Sequence, residues 1–200
     1  GTGKTSIVSS LVKILPGFNT SSVLLAPTGK AAKVLSQYSG KKATTVHRKI
    51  YSLRTSREGS IHLHLAPNMH KNTLFIVDEA SMIPDQAQPS EGSLFGSQRL
   101  LDDLVHYVYQ GENCKLMLIG DTAQLPPVGL EISPALDKEF LKSNYQFSIC
   151  EFELKDVVRQ KKESGILQNA TNIRQGILES EQRLPVFNAI NNSDTFKITG

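Results

Sequence analysis

Thr73-Leu74-Phe75-Ile76-Val77-Asp78-Glu79 is an apolar run of five residues that stops on two adjacent carboxylates. A run this short and this apolar reads as a strand buried on both faces, with the acids marking its carboxyl end. Lys115 to Ile119 (KLMLI) repeats the arrangement and ends in Gly120-Asp121, and Ser22 to Ala26 (SVLLA) is broken by Pro27-Thr28-Gly29. Helical patterns separate these runs. One covers Lys30 to Gln37, and another covers Leu94 to Tyr109, with Leu100, Leu101, Leu104, Val105 and Val108 at helical spacing. Strand, polar turn and helix in alternation predict an α/β fold with a mainly parallel sheet flanked by helices. Ligands of such sheets bind at the carboxyl ends of the strands.

Ahead of the first strand, Gly1-Thr2-Gly3-Lys4-Thr5 leads into Ser6-Ile7-Val8, and Leu11, Val12, Ile14 and Leu15 continue an apolar face until Pro16-Gly17. A glycine-rich loop therefore opens a helix, where backbone N–H groups can cradle phosphates. In that setting Lys4 reaches the β- and γ-phosphates and the Thr5 hydroxyl holds Mg²⁺. Gly-Lys-Thr alone is a weak sign, and two acids after a strand are often only solvated. Together in one α/β pattern they point to a Mg²⁺-nucleotide site, with Asp78 on the hydrated metal and Glu79 orienting or deprotonating the attacking water. The expected nucleotide-binding set is Gly1, Thr2, Gly3, Lys4, Thr5 and Ser6, with Thr5 and Asp78 as metal residues. The full pattern G-x-x-x-x-G-K-[ST] puts its first glycine, and the strand before it, ahead of Gly1. On its own, the 200-residue chain is accordingly expected to show no appreciable turnover.

Between His47 and Asn72 the pattern changes. A polar stretch from Thr55 to Ser60 is followed by the alternating Ile61-His62-Leu63-His64-Leu65, which predicts a β-hairpin over 49–65 inserted into the α/β core. His62 and His64 share a strand face, but no Cys or carboxylate pattern completes a metal site around them. Cys114 and Cys150 are far apart and form no CxxC pair, which favours two ordinary thiols in a reduced, cytoplasmic setting. No apolar run approaches the length of a membrane span. A hydrophobic share of 39% with 20% charged residues excludes a disordered or collagen-like chain. The formal charge of +3 permits a nucleic-acid partner without requiring one.

Gly120-Asp121-Thr122-Ala123-Gln124-Leu125-Pro126-Pro127-Val128-Gly129 resembles motif III of superfamily 1 helicases, and Asp78-Glu79-Ala80-Ser81 resembles their motif II. Leu25 to Ala32, containing Pro27-Thr28-Gly29-Lys30, is similar to motif Ia, and Thr44-Thr45-Val46-His47 is similar to the next DNA-contacting motif. Val157-Val158-Arg159-Gln160 resembles motif IV. The string covers 1–160 and is most similar to the RecD-like branch. The resemblance implies a RecA-like P-loop NTPase domain over 1–160 that hydrolyses ATP with Mg²⁺ to move 5′ to 3′ on single-stranded DNA and unwind duplex junctions, in DNA repair and recombination. It implies that Gln124 senses the γ-phosphate, that Arg159 is an arginine finger, and that Pro27, Thr28, Lys30, Thr45 and His47 grip the DNA backbone. Residues 161–200, with a helix from Ile166 to Ile177, would then lead towards a second RecA-like domain.

Two other functions share parts of this pattern. A nucleotide-dependent switch acting on a protein partner would keep Lys4, Thr5, Asp78 and Glu79 but has no use for the Pro27–Lys30 and Thr44–His47 segments. A non-catalytic DNA-binding module would have no use for Glu79. Aromatic platforms for stacking single-stranded bases are not obvious, with only Tyr38, Tyr51 and the later Tyr and Phe residues available. Nothing in the residues identifies protein partners.

Overall fold

The computed structural model describes residues 3–55, 61–86, 99–154 and 165–178. The chain forms two compact units, one of Thr5–Phe152 and one of Gly1–Lys4 with Glu153–Gly200. In the larger unit four strands form a parallel sheet in the order β2-β1-β5-β6, where β1 is Ser21–Ala26, β2 Ala43–Thr45, β5 Thr73–Val77 and β6 Lys115–Leu118. Helix α1 (Lys4–Ile14) precedes β1, and α2 (Gly29–Ser39) joins β1 to β2.

The two faces of the sheet follow from the period of two along each strand. Leu24, Ala26 and Ile76 point to one side, where they pack with Val8 of α1 and Ala32 and Leu35 of α2. Leu25, Phe75 and Val77 point to the other, against α3 (Val46–Ile50) and α4 (Leu100–Tyr109). Phe75 is fully buried and meets the ring of Tyr107 edge-on at 5.9 Å. Each such side chain contributes about 1.5–3 kcal/mol by leaving water. Helix α5 (Lys138–Tyr145) adds Phe140 and Leu141 to this second face.

Local chemistry sets the ends of the helices. The Thr28 side chain accepts the amide of Ala31 and caps α2, which stops at Gly40 in the left-handed conformation, φ 68°. The Thr45 side chain does the same for Arg48 at the start of α3. Helix α1 ends where Pro16 enters a 3-10 turn, Leu15–Phe18.

The hairpin is present as the antiparallel pair β3 (Tyr51–Thr55) and β4 (Ile61–Leu65), paired from Tyr51↔Leu65 to Thr55↔Ile61. It starts later than the expected residue 49, because Lys49 and Ile50 complete α3 and bury Ile50. Its base is fixed to the core: Tyr51 donates its hydroxyl to Asp103 of α4 at 2.5 Å, and the Ala66 amide donates to the Ile50 carbonyl. The expected helix from Leu94 is corrected to one from Leu100, because Arg99 is extended, with φ −106° and ψ 91°, and bonds Asp85. Residues 94–98 lie outside the described residues. In the smaller unit, α6 (Gly165–Leu178) covers the helix expected from Ile166.

Candidate nucleotide and nucleic-acid site

Parallel strands bring their carboxyl ends to one edge of the sheet. Asp78 follows Val77 directly, and its amide donates to the Leu25 carbonyl at 3.0 Å, which locks the end of β5 against β1. The register continues outward, with Ala26 facing Thr45. Asp78 and Glu79, the Pro27–Thr28 turn and the start of α3 therefore share one edge.

Asp78 is held at both oxygens. Oδ2 accepts the hydroxyl of Tyr38, 2.5 Å away, and Oδ1 accepts the amide of Glu79 at 3.0 Å. Burial, this bond and the nearby charges of Asp78 and Glu79 push the Tyr38 phenol far above its ordinary pKa, so it stays a donor. The hydroxyls of Tyr38 and Tyr51, the two tyrosines closest to the expected DNA-contacting segments, each donate to a carboxylate. No local sign in the sequence marks Tyr38 as part of this site.

Glu79 adopts φ 55°, a left-handed conformation that costs a residue other than glycine about 1–3 kcal/mol. The turn is fixed on both sides. Its own amide is held by Asp78, and the Ala80 amide donates to the Ile119 carbonyl of the neighbouring strand end at 2.9 Å. Gly120 follows Ile119, and a Cβ there would lie 3.1 Å from the Ser81 amide nitrogen and 2.6 Å from a Leu136 methyl. The absence of a side chain at 120 is what lets the two strand ends approach.

Gln124 is exposed in the loop after β6, with Oε1 3.5 Å from the Ser81 hydroxyl, the outer limit of a hydrogen bond. The motif II and motif III segments are thus brought together. Thr5 is half-buried in the first turn of α1. Lys4 opens that helix and belongs to the smaller unit, while Gly1, Thr2 and Arg159 lie outside the described residues.

The Thr28 and Thr45 oxygens accept amides of their own helices, which leaves each hydroxyl hydrogen to point elsewhere. Lys30 and His47 are exposed, and Pro27 is half-buried. The His47 ring lies 5.9 Å from that of Tyr51, and desolvation on its packed side pushes its pKa below the ordinary value. The edge therefore offers hydroxyl, imidazole and ammonium groups, all able to donate to phosphate oxygens.

Thr5 and Asp78 supply hydroxyl and carboxylate oxygens, the hard donors that a divalent cation takes beside a nucleotide, so the donor set fits such an ion. Among the described residues no group of three or more His, Cys, Asp or Glu gathers as a separate metal cluster. Among those residues, too, no helix is long and apolar enough to cross a membrane.

A family model described as an AAA domain matches residues 1–193. Over 128 residues the chain is 36% identical to the ATP-dependent RecD2 DNA helicase of Deinococcus radiodurans, a match that covers 64% of this chain and 15% of that protein. Over 179 residues it is 30% identical to the ATP-dependent DNA helicase dda of Enterobacteria phage T4, covering 88% of this chain and 36% of that protein. The chain thus spans well under half the length of these two relatives. A solved structure of two coordinating Pif1 helicases at forked double-stranded DNA shares the fold, with a TM-score of 0.54 at 20% identity over 87% of this chain and 42% of that one.

Proposed function

This chain belongs to the AAA-domain family, and from that premise we propose that it is the nucleotide-hydrolysing domain of a RecD-like, superfamily 1 DNA helicase. One observation carries the reading: the Asp78-Glu79 pair shares the carboxyl edge of the sheet with the Thr28 and Thr45 caps. Hydrolysis and phosphate-backbone contacts then lie on adjoining strand ends, which a switch acting on a protein partner does not need.

Lys4 binds the β- and γ-phosphates of ATP, the Thr5 hydroxyl and Asp78 hold Mg²⁺, and Glu79 takes up the proton of the attacking water. A bound magnesium ion neutralises charge on the phosphates. Gln124 senses the γ-phosphate, and Arg159 supplies a cation to the charge that develops on the transferred phosphoryl. Pro27, Thr28, Lys30, Thr45 and His47 grip single-stranded DNA without reading its bases. Movement runs 5′ to 3′, the hairpin parts duplex at a junction, and the work falls in DNA repair and recombination within the cytoplasm.

The test is ATP turnover by the full-length protein with and without single-stranded DNA. Strong stimulation by DNA of unrelated sequences is expected. Turnover indifferent to DNA but raised by a protein partner would replace this reading with the switch.

A further inference from the structure

The Tyr38–Asp78 bond joins residues 40 positions apart and belongs to none of the motifs read in the sequence. Tyr38 is in the last turn of α2, the helix whose first turn is capped by Thr28. Side chains on a helix lean towards its N-terminus, which lets a phenol in the last turn reach back to the carboxyl edge of the sheet. The ring packs in the cluster that contains Leu35 and Ile76, so its direction is set by the core.

A carboxylate offers about four acceptor positions over its two oxygens. Tyr38 takes one on Oδ2 and the Glu79 amide takes one on Oδ1. The two donors stop the carboxylate rotating and leave one position on each oxygen facing away from them. We propose that Tyr38 is a positioning residue for Asp78: its hydroxyl fixes the carboxylate in the orientation that receives the divalent cation, and it makes α2 the mechanical link between that carboxylate and the Thr28 cap. The inference rests on the nucleotide-site reading above and extends it to a residue outside the motifs.

The experiment uses the full-length protein and Mn²⁺ as the probe, followed by electron paramagnetic resonance in the presence of a non-hydrolysable ATP analogue. Tyr38→Phe keeps the ring in the core and removes only the donor. The Mn²⁺ concentration for half-saturation is expected to rise roughly tenfold, the size expected for losing a hydrogen bond to a charged group. Metal-free nucleotide affinity should stay at the wild-type value, which also reports that the site is folded. In turnover, the Mg²⁺ concentration needed for half-maximal rate should rise while kcat at saturating Mg²⁺ recovers most of its value. A merely structural role would lower the melting temperature and leave the metal dependence unmoved. Unchanged Mn²⁺ affinity in Tyr38→Phe, beside a clear loss in Asp78→Asn, overturns the role of Tyr38 alone. Unchanged affinity in both variants overturns the nucleotide-site reading on which it rests.

Discussion

The Ala80 amide donates to the Ile119 carbonyl across 2.9 Å, so the turn that carries Glu79 and the loop that carries Gln124 leave the sheet from two bonded strand ends. A change that pushes these ends apart acts on both loops at once.

Gly120→Ala is such a change. The new methyl meets a Leu136 methyl, which can swing away, and the Ser81 amide nitrogen at 3.1 Å, which cannot move without the backbone. A loss of about 1–3 kcal/mol is expected, as for other overpacked sites, with kcat reduced because Gln124 shifts relative to Ser81. Urea unfolding measures the first effect and steady-state turnover the second. A variant as stable and active as the parent would show that the close approach is not needed.

At Glu79, chemistry and conformation pull in opposite directions. Glu79→Gln should leave ATP bound but unhydrolysed, whereas Lys4→Ala should lose turnover through weakened phosphate binding. Glu79→Asn also ends hydrolysis, but asparagine tolerates the left-handed conformation better. It should therefore raise stability by about 1 kcal/mol, or a melting temperature gain of roughly 2–4 °C. Calorimetry beside ATPase assays checks both halves, and near-normal turnover by Glu79→Gln would falsify the role of the water-activating base.

His47 gives a pH dependence with a definite sign. Its pKa is held below the ordinary value by desolvation, so it is neutral in the free protein at neutral pH. A phosphate brought near favours the imidazolium, so binding takes up a proton and single-strand affinity should rise several-fold as pH falls from about 7.5 to about 6. In His47→Gln that slope should flatten. Folding responds with the opposite sign, because the unfolded chain binds the proton more readily: stability is lost as pH falls below about 6.5, and the depressed pKa of His70 adds to the loss. Fluorescence anisotropy at several pH values decides the binding half; a slope that survives His47→Gln would move the proton elsewhere.

The hairpin base is anchored independently of its tip, by Tyr51 to Asp103 and Ala66 to Ile50. Deleting Thr55 to Ser60 should therefore leave the core folded and DNA-stimulated ATP hydrolysis intact while unwinding falls by at least about tenfold, if the tip serves strand separation alone as proposed. Equal loss of both activities would remove the hairpin from strand separation.

Much of this was readable from the chain. The Thr73–Val77 strand has the boundaries its apolar run predicts, the parallel sheet follows from acids and glycines at strand ends, and the RecD-like resemblance is borne out by the matches to helicases. Shorter elements were not legible. Ala43–Thr45 and Val46–Ile50 are too brief for a period to show, and each exists because tertiary packing supplies what local pattern does not. Helix α5 did carry a signal, since Asp137 caps the Glu139 and Phe140 amides just before Phe140 and Leu141. Tyr38 carried none. A tyrosine at a helix end looks like surface or core until the fold brings residue 78 against it.

The left-handed backbone at Glu79 also bears on how such a chain decays over generations. Backbone preference at this position favours glycine or asparagine, so with Glu79 in the proposed water-activating role, glutamate should persist only while selection for hydrolysis opposes that pull. In a descendant kept for DNA binding alone, residue 79 should drift to a small residue sooner than its neighbours Val77 and Ala80, which the core holds in place. Descendants that have lost Lys4 and changed Val77 or Ala80 while Glu79 remains would contradict this order of decay.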